Sequence, residues 1–196
     1  MGQNFDYAIS LGSSCRARHQ LVRVYGKDAC PSGIFDWQGT SAAAVAAYLR
    51  HDFDGMFELE DLRIEGGMVR NFRYGTWHLH QFPKGIGVED IAAHYPEARS
   101  RHDHLSQKTL RLLRGRDRLL LCLNRHLSPV HWARLWLQLR LRYPQLSFIL
   151  LNGPKGDFPA DVRWEGDDAL WDRHLAPFQP ALRPVAGVLR SSPETA

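Results

Sequence analysis

Two nearly continuous apolar runs in the second half of the chain predict buried strands. They occupy residues 119–123 and 147–151, and such runs are typical of strands that are covered on both faces. Between them, Ser128 and Pro129 predict the start of a helix that reaches Arg142, because serine caps helices and proline is tolerated at their first position. Strand, helix and strand in this order predict two parallel strands joined by a crossover helix.

The first part of the chain repeats this order of strand and helix. Residues 7–11 predict a short apolar strand, and an apolar stripe at helical spacing predicts a helix from Arg16 to Tyr25. We expect all three strands to lie in one sheet. The predicted fold class is therefore α/β: a single three-layer domain, with a central, mostly parallel sheet flanked by helices, over residues 1–186. Residues 187–196 predict a flexible tail.

The middle of the chain carries weaker patterns. Alternation of apolar and polar residues is typical of half-buried strands, and alanine-rich sequence favours helix. The remaining predicted elements are helices at 42–50, at 88–113 with a break near Pro96, and at 168–175, and strands at 68–74, 77–82 and 162–164.

The turn after the first strand contains the candidate nucleophile. Gly12, Ser13 and Ser14 predict a tight turn that places Cys15 in the first turn of the next helix. The free N–H groups and the dipole at a helix start favour negative charge, so the thiol is expected to ionise easily. The same N–H groups are suited to hold an oxyanion. The alternative is a structural cysteine, since free cysteine is often a small buried hydrophobe.

Three histidines are candidate bases for such a thiol. His19 lies one helical turn after Cys15, and His78 and His80 are predicted on one face of a strand. The His-x-His pair lacks an evident third ligand, so no metal site is predicted.

At this point the motifs resemble those of a known family. Ser-Leu-Gly-x-x-Cys at 10–15, followed by Phe-Asp-Trp at 35–37, resembles a bacterial domain family of unknown function that is classed with papain-like cysteine peptidases. That family has a later His-Asp-Phe motif, and His-Gln-Phe at 80–82 occupies its place here. The resemblance covers about residues 5–152.

The resemblance implies Cys15 as nucleophile and His80 as its base. Gln81 stands where the family has an acid, but neighbouring residues on a strand point to opposite faces. Asp36 is therefore the candidate that orients the histidine. A carboxylate between two large aromatic residues is expected to be buried with a partner, and a loop cap or an arginine ion pair is the alternative role.

Two functions of different classes follow from these residues. The first is a cysteine hydrolase or acyltransferase that forms a thioester and acts on an amide, ester or thioester. The second is a non-catalytic α/β ligand-binding domain, in which Cys15 is structural and the strand ends near Gly12, Asn124 and Asn152 line a crevice. The candidate substrate contacts are Ser13, Ser14, Trp37, His78 and Asn124.

Composition narrows the partners and the compartment. The net charge of the 196 residues is +4, and the basic residues are interspersed with acidic ones. No nucleic-acid-binding motif is present, so no nucleic-acid partner is expected. Three cysteines without metal spacing favour a reducing compartment, the cytoplasm. Neither a membrane span nor a signal peptide is evident. The expected partner is a small-molecule, peptide or carrier-bound acyl substrate, with no cofactor; the oligomeric state is not predicted.

Overall fold

The computed structural model describes residues 2–159 and 162–181. Helices and strands alternate in the C-terminal half of this length, whereas several strands follow one another directly in the N-terminal half. In chain order they are β1 (Gln3–Phe5), β2 (Tyr7–Ser10), α1 (Arg16–Ala29), α2 (Ala42–Arg50), β3 (Leu62–Glu65), β4 (Met68–Asn71), β5 (Thr76–Trp77), α3 (Ile91–Arg114), β6 (Arg118–Cys122), α4 (Pro129–Arg142), β7 (Ser147–Leu151), α5 (Asp168–Leu175) and β8 (Phe178–Pro180).

The three apolar strands form one parallel sheet in the order β2-β6-β7. In its register Tyr7 pairs with Leu119 and Arg118 pairs with Ser147. The prediction that these strands share one sheet is confirmed. A second parallel pair joins β1 to β8, and β3, β4 and β5 form a small antiparallel sheet, so the fold is mixed α/β with mostly parallel pairing.

Side chains alternate between two cores along the parallel strands. Ala8 and Leu120 pack in a cluster that includes residues of α1 and α5, among them Trp171. Ile9 and Leu121 belong to a second cluster, with residues of α2, α3 and α4. The period of two along a strand separates the two sets, so successive residues of these strands contribute to different clusters.

The capped helices begin where the sequence predicts. Ser41 accepts a hydrogen bond from Ala44 N at the start of α2 (3.1 Å), and Ser128 accepts one from His131 N at the start of α4. The first helical segment of α1 ends at Tyr25, as predicted, because Gly26 has a non-helical conformation with a φ of 82°; a second short segment then reaches Ala29.

The antiparallel sheet is shorter than predicted. β4 ends at Asn71, whose side chain accepts a hydrogen bond from Tyr74 N and so closes a turn. β5 ends at Trp77, and the chain then turns, so the predicted strand at 77–82 is wrong. His78 and His80 consequently do not share a strand face.

Two further predictions differ from the structure, and one strand pairing had no counterpart among the predictions. α3 is unbroken at Pro96, and the hydroxyl of the adjacent Tyr95 donates to Phe57 O. Residues 162–164 lie in turns rather than in a strand. The pairing of β1 with β8 was not predicted, and the tail at 187–196 lies outside the described residues.

Two buried histidines connect α3 to the small sheet. His102 of α3 lies 3.0 Å from the Tyr48 hydroxyl and stacks on Phe57, with 4.6 Å between ring centroids. Phe57 also contacts His78. Burial lowers the pKa of each imidazole to about 3, so both histidines are neutral in the folded protein at neutral pH.

Acid is expected to destabilise the protein through these two groups. An unfolded histidine takes up a proton below about pH 6.5, whereas the folded pair stays neutral down to about pH 3. Stability is therefore lost as the pH falls from about 6.5 towards 3. Urea unfolding at pH 7, 5.5 and 4.5 is expected to show that the free energy of unfolding falls less with decreasing pH for His102→Gln than for the unmodified chain. His104→Gln, which replaces an exposed histidine on the same helix, serves as control. If the unfolding free energy of His102→Gln depends on pH as strongly as that of the unmodified chain, the prediction is contradicted.

Candidate functional site

The turn after β2 lies against the segment that precedes α2. Gly12 has a left-handed φ of 79°, and a Cβ at this position would lie 3.3 Å from the Thr40 side chain. Its carbonyl accepts a hydrogen bond from Asn124 N (2.9 Å), and Ser13 O accepts one from Thr40 N (3.0 Å). Glycine is therefore favoured here by its conformation as well as by the close approach of Thr40.

Asn124 links both serines of this turn. Ser13 donates from its hydroxyl to Asn124 Oδ1 (2.6 Å), and Asn124 Nδ2 donates to Ser14 Oγ (2.7 Å). The carboxyl ends of neighbouring parallel strands meet at one edge of a sheet, which explains why residues more than 100 positions apart come together. The structure thus brings together three of the residues predicted as substrate contacts.

A cleft of about 780 Å³ opens at this edge of the sheet. Its walls are the turn after β2, the segment 39–41, the end of the small sheet at Trp77, and the loops at 124–126 and 154–159. The cleft is large enough for a small organic molecule.

The polar groups of the cleft are mainly hydrogen-bond donors. Arg125 is half-buried and donates through Nη2 to Thr40 O (2.9 Å), and within the described residues its other guanidinium N–H groups have no partner. Burial lowers the pKa of Arg125, although a guanidinium remains charged in proteins. Lys155 is exposed at the rim. The Ser14 and Ser41 oxygens accept protein hydrogen bonds, so their protons are available to a ligand.

The carboxylate in the described lining belongs to Asp157, and its oxygens already accept hydrogen bonds from other groups of the protein. Its oxygens accept hydrogen bonds from Arg16 Nη1 (3.1 Å), Asp167 N (2.8 Å) and Trp171 Nε1 (2.8 Å). Arg16 and Asp157 neutralise each other, which leaves the positive charges of Arg125 and Lys155 facing the space.

Cys15 lies at the N-cap position of α1, one residue before the helix. Burial raises the pKa of its thiol, and the backbone N–H and Arg16, which favour the thiolate, do not outweigh this effect. The expectation of an easily ionised thiol is therefore wrong, because loss of hydration exceeds the effect of the helix start. Among the described residues no histidine is hydrogen-bonded to Cys15 Sγ. The other two thiols are more deeply buried; burial raises the pKa of Cys30 to about 12 and that of Cys122 further.

The candidate histidines lie in different environments. His78 is buried between Thr76 Oγ1, at 3.1 Å, and the Gln81 side chain. His80 is exposed, with its ring edge-on to that of Trp37 at 5.7 Å between centroids. Neither residue lines the cleft, and Trp37 also lies outside it.

Asp36 is almost completely buried, as expected. Its Oδ2 accepts a hydrogen bond from Gly33 N (2.8 Å) and lies 3.6 Å from Arg18 Nε, whereas Oδ1 has no partner among the described residues. Burial raises the pKa of Asp36 to about 7, against the opposing effects of Gly33 and Arg18. The contacts correspond to the alternative role, a loop cap beside an arginine, and none of them joins Asp36 to His80.

Sequence reasoning missed the charged residues of the described cleft lining, namely Arg16, Arg125, Lys155 and Asp157. Arg125 directly follows Asn124 after a buried strand, and a Gly-Pro-Lys-Gly-Asp run at 153–157 follows β7. Loops at the carboxyl ends of parallel strands are where α/β proteins bind ligands, so their position after two predicted strands was an available signal.

Comparison of the chain with protein-family models, with curated proteins and with solved structures found no match. The family resemblance of the motifs therefore remains a prediction. In the part of the chain that the structure describes, no helix combines the length and the apolar character needed to cross a membrane. The same residues contain no group of three or more His, Cys, Asp or Glu residues that could hold a metal ion.

Replacement of Asp36 by asparagine is expected to stabilise the protein most at alkaline pH. The folded carboxyl is protonated up to about pH 7, whereas an unfolded aspartate ionises near pH 4. The contribution of the protonated group is thus lost as the pH rises through about 7, and asparagine has no proton to lose. Urea unfolding is expected to show that Asp36→Asn raises the free energy of unfolding, relative to the unmodified chain, more at pH 8.5 than at pH 5.

Asp54→Asn, which replaces an exposed aspartate, is the matched control. Its free energy of unfolding is expected to differ from that of the unmodified chain by the same amount at both pH values. A gain for Asp36→Asn that does not grow with pH would show that the carboxylate is ionised in the folded state.

Proposed function

We propose that the chain is a ligand-binding α/β domain that holds a small molecule with an oxyanion, a phosphate or a carboxylate, in the cleft at the carboxyl edge of the parallel sheet. The observation that carries this proposal is Arg125, a half-buried guanidinium whose described protein partner is a single carbonyl group, Thr40 O. A cation that has lost water and has gained few protein partners is stabilised by an anion that approaches from the cleft.

The surrounding groups favour the same ligand chemistry. Ser14, Ser41 and Lys155 offer further donors, and the Asp157 carboxylate is occupied by Arg16 and by groups near α5. A ligand that matches this lining must supply acceptors and negative charge. Guanidinium groups bind phosphate and carboxylate with two parallel hydrogen bonds, which makes Arg125 the principal anchor.

The three-layer arrangement predicted from the sequence is part of the proposal. α1 follows β2 and contributes to one core, whereas α4 follows β6 and contributes to the other. Helices that leave neighbouring parallel strands towards opposite faces open a crevice between the strand ends, and α/β domains bind ligands there. The Ser13–Asn124 contact lies at the junction of these two strand ends.

Replacement of Arg125 by glutamine is expected to weaken anion binding. Removal of a charge-assisted hydrogen bond corresponds to a loss of about 10- to 100-fold in affinity. Calorimetric titration with inorganic phosphate and with acetate measures the change, and binding of the favoured anion is expected to weaken further as the salt concentration rises.

Arg134→Gln, on the exposed surface of α4, removes the same charge away from the cleft and is expected to leave the affinity unchanged. Equal affinities for Arg125→Gln and the unmodified chain, or equal losses in both variants, would contradict an anion site at Arg125.

A second candidate function is the cysteine hydrolase or acyltransferase implied by the sequence motifs. Its support is that Cys15 is partly exposed beside Ser14, a cleft residue, while Cys30 and Cys122 are buried. In this reaction the thiolate attacks a carbonyl carbon, the leaving group departs with a proton, and water or another acceptor cleaves the thioester. The thiol proton passes to His80 in the role that the resemblance implies.

Brief alkylation of the folded protein distinguishes the roles of the thiols. Cys15 is expected to be modified first, because burial protects Cys30 and Cys122. Since burial raises the pKa of Cys15, the rate is expected to increase up to and beyond pH 9, as only the thiolate reacts.

Mass mapping of labelled peptides locates the modified residue. A rate that is already maximal near pH 7 and falls in His80→Ala would instead show a thiolate paired with that imidazole and would favour the catalytic candidate. First labelling at Cys30 would exclude Cys15 as the nucleophile.

A further inference from the structure

We infer that the ligand of the cleft is a phosphate ester whose organic part carries a planar aromatic ring. This inference rests on the proposed function and adds the chemistry of the part that lies beyond the oxyanion. It depends on the non-polar portion of the cleft wall, which the oxyanion site leaves unused.

The cleft is much larger than an inorganic oxyanion requires. Its volume is about 780 Å³, whereas a single phosphate displaces only a few waters, each of about 30 Å³. The rest of the lining includes the apolar side chains of Trp77, Phe158, Pro154 and Pro159, together with His126 and several glycines. An organic group attached to the oxyanion would cover this surface.

Phe158 is an exposed aromatic ring on a fixed backbone. The residue retains 41% of its accessible surface. Its carbonyl accepts a hydrogen bond from Arg16 Nη1 (2.6 Å), and its N–H donates to Asp157 Oδ1 (2.9 Å). A ring held in this way loses little backbone freedom when a ligand packs against it, which favours binding.

Trp77 is fixed on another wall of the cleft. Its N–H and carbonyl pair with Gly39 at 2.8 and 2.7 Å, and a Cβ at position 39 would lie only 3.1 Å from Trp77 Cβ. The Arg70 guanidinium lies 5.0 Å from the Trp77 ring centroid. Both aromatic residues of the lining are thus positioned by contacts that do not involve a ligand.

The donors and the aromatic rings together specify one chemical class. Arg125, Lys155 and the serine hydroxyls match a phosphate group with several acceptor oxygens. Aromatic side chains prefer planar rings, because stacking adds to the burial of apolar area. A phosphate ester with an aromatic ring satisfies both parts of the cleft at once.

The test compares three probes with one phosphate group each: inorganic phosphate, cyclohexyl phosphate and phenyl phosphate. Calorimetric titration of the full chain is expected to give the tightest binding for phenyl phosphate, about tenfold tighter than for inorganic phosphate, with cyclohexyl phosphate between them. Phe158→Leu keeps an apolar side chain but removes the ring, and it is expected to reduce the advantage of phenyl over cyclohexyl phosphate while leaving inorganic phosphate unaffected.

Trp136→Leu, which removes a partly exposed ring from α4, is the matched control and is expected to change none of the three affinities. Equal binding of phenyl and inorganic phosphate, with both weakened by Arg125→Gln, would overturn the aromatic inference and leave the oxyanion site in place. Equal losses for all three probes in Phe158→Leu would also overturn it. Absence of binding by every probe, or binding that Arg125→Gln does not weaken, would overturn the inference together with the proposed phosphate site.

Discussion

The buried ion pair between Arg16 and Asp157 is the interaction on which the cleft depends. Besides the carboxylate, the guanidinium of Arg16 donates to the carbonyl oxygens of Phe158, Arg163 and Trp164. Both side chains are more than nine-tenths buried, and a buried ion pair is tolerated only when its remaining donors and acceptors are satisfied. Arg16 begins the helix after the Ser-Ser-Cys turn, whereas its partners belong to the loops after β7. One side chain therefore sets the distance between two walls of the cleft, and loss of either charge leaves the other buried, at a cost of about 3–5 kcal/mol.

The parallel sheet was predictable because its signals are local and strong. The runs at 119–123 and 147–151 are almost entirely apolar, and serine caps fix the starts of α2 and α4, so the pairing agrees with the structure and the bounds agree to within one residue. The segment after Trp77 was not predictable by alternation. Burial of His78 among aromatic rings, rather than a strand face, determines its position. The pairing of β1 with β8 joins residues about 175 positions apart, in short segments without a periodic pattern, and no local signal specifies such a contact.

The candidate site was predictable where it depends on strand ends and unpredictable where it depends on loops. Ser13, Ser14 and Asn124 follow two neighbouring parallel strands, so topology alone brings them together. Arg125 and Lys155 follow strands too, but whether such side chains face a cleft depends on how the loops are held. The loop at 154–159 is held by the Arg16–Asp157 pair, a contact between residues 141 positions apart, which no local pattern specifies. The motif-based residues Asp36 and His80 lie outside the cleft lining, because the contacts of Asp36 are with the neighbouring loop and α1.

The two candidate functions place opposite demands on the electrostatics around Cys15. The thiolate of Cys15 is already disfavoured by burial and, to a smaller extent, by the charge of Asp36. An oxyanion bound by Arg125 beside Ser14 adds negative charge near the same thiol, and like charges raise the pKa of an acidic group further. An anion bound at the proposed site would therefore disfavour the thiolate, whereas the guanidinium by itself favours it. A thioester mechanism requires a substrate whose carbonyl reaches Cys15 while its anionic group neutralises Arg125, so that the charge of the ligand is balanced before the thiol ionises. The donor-rich lining supports the proposed anion site whether or not the thiol takes part.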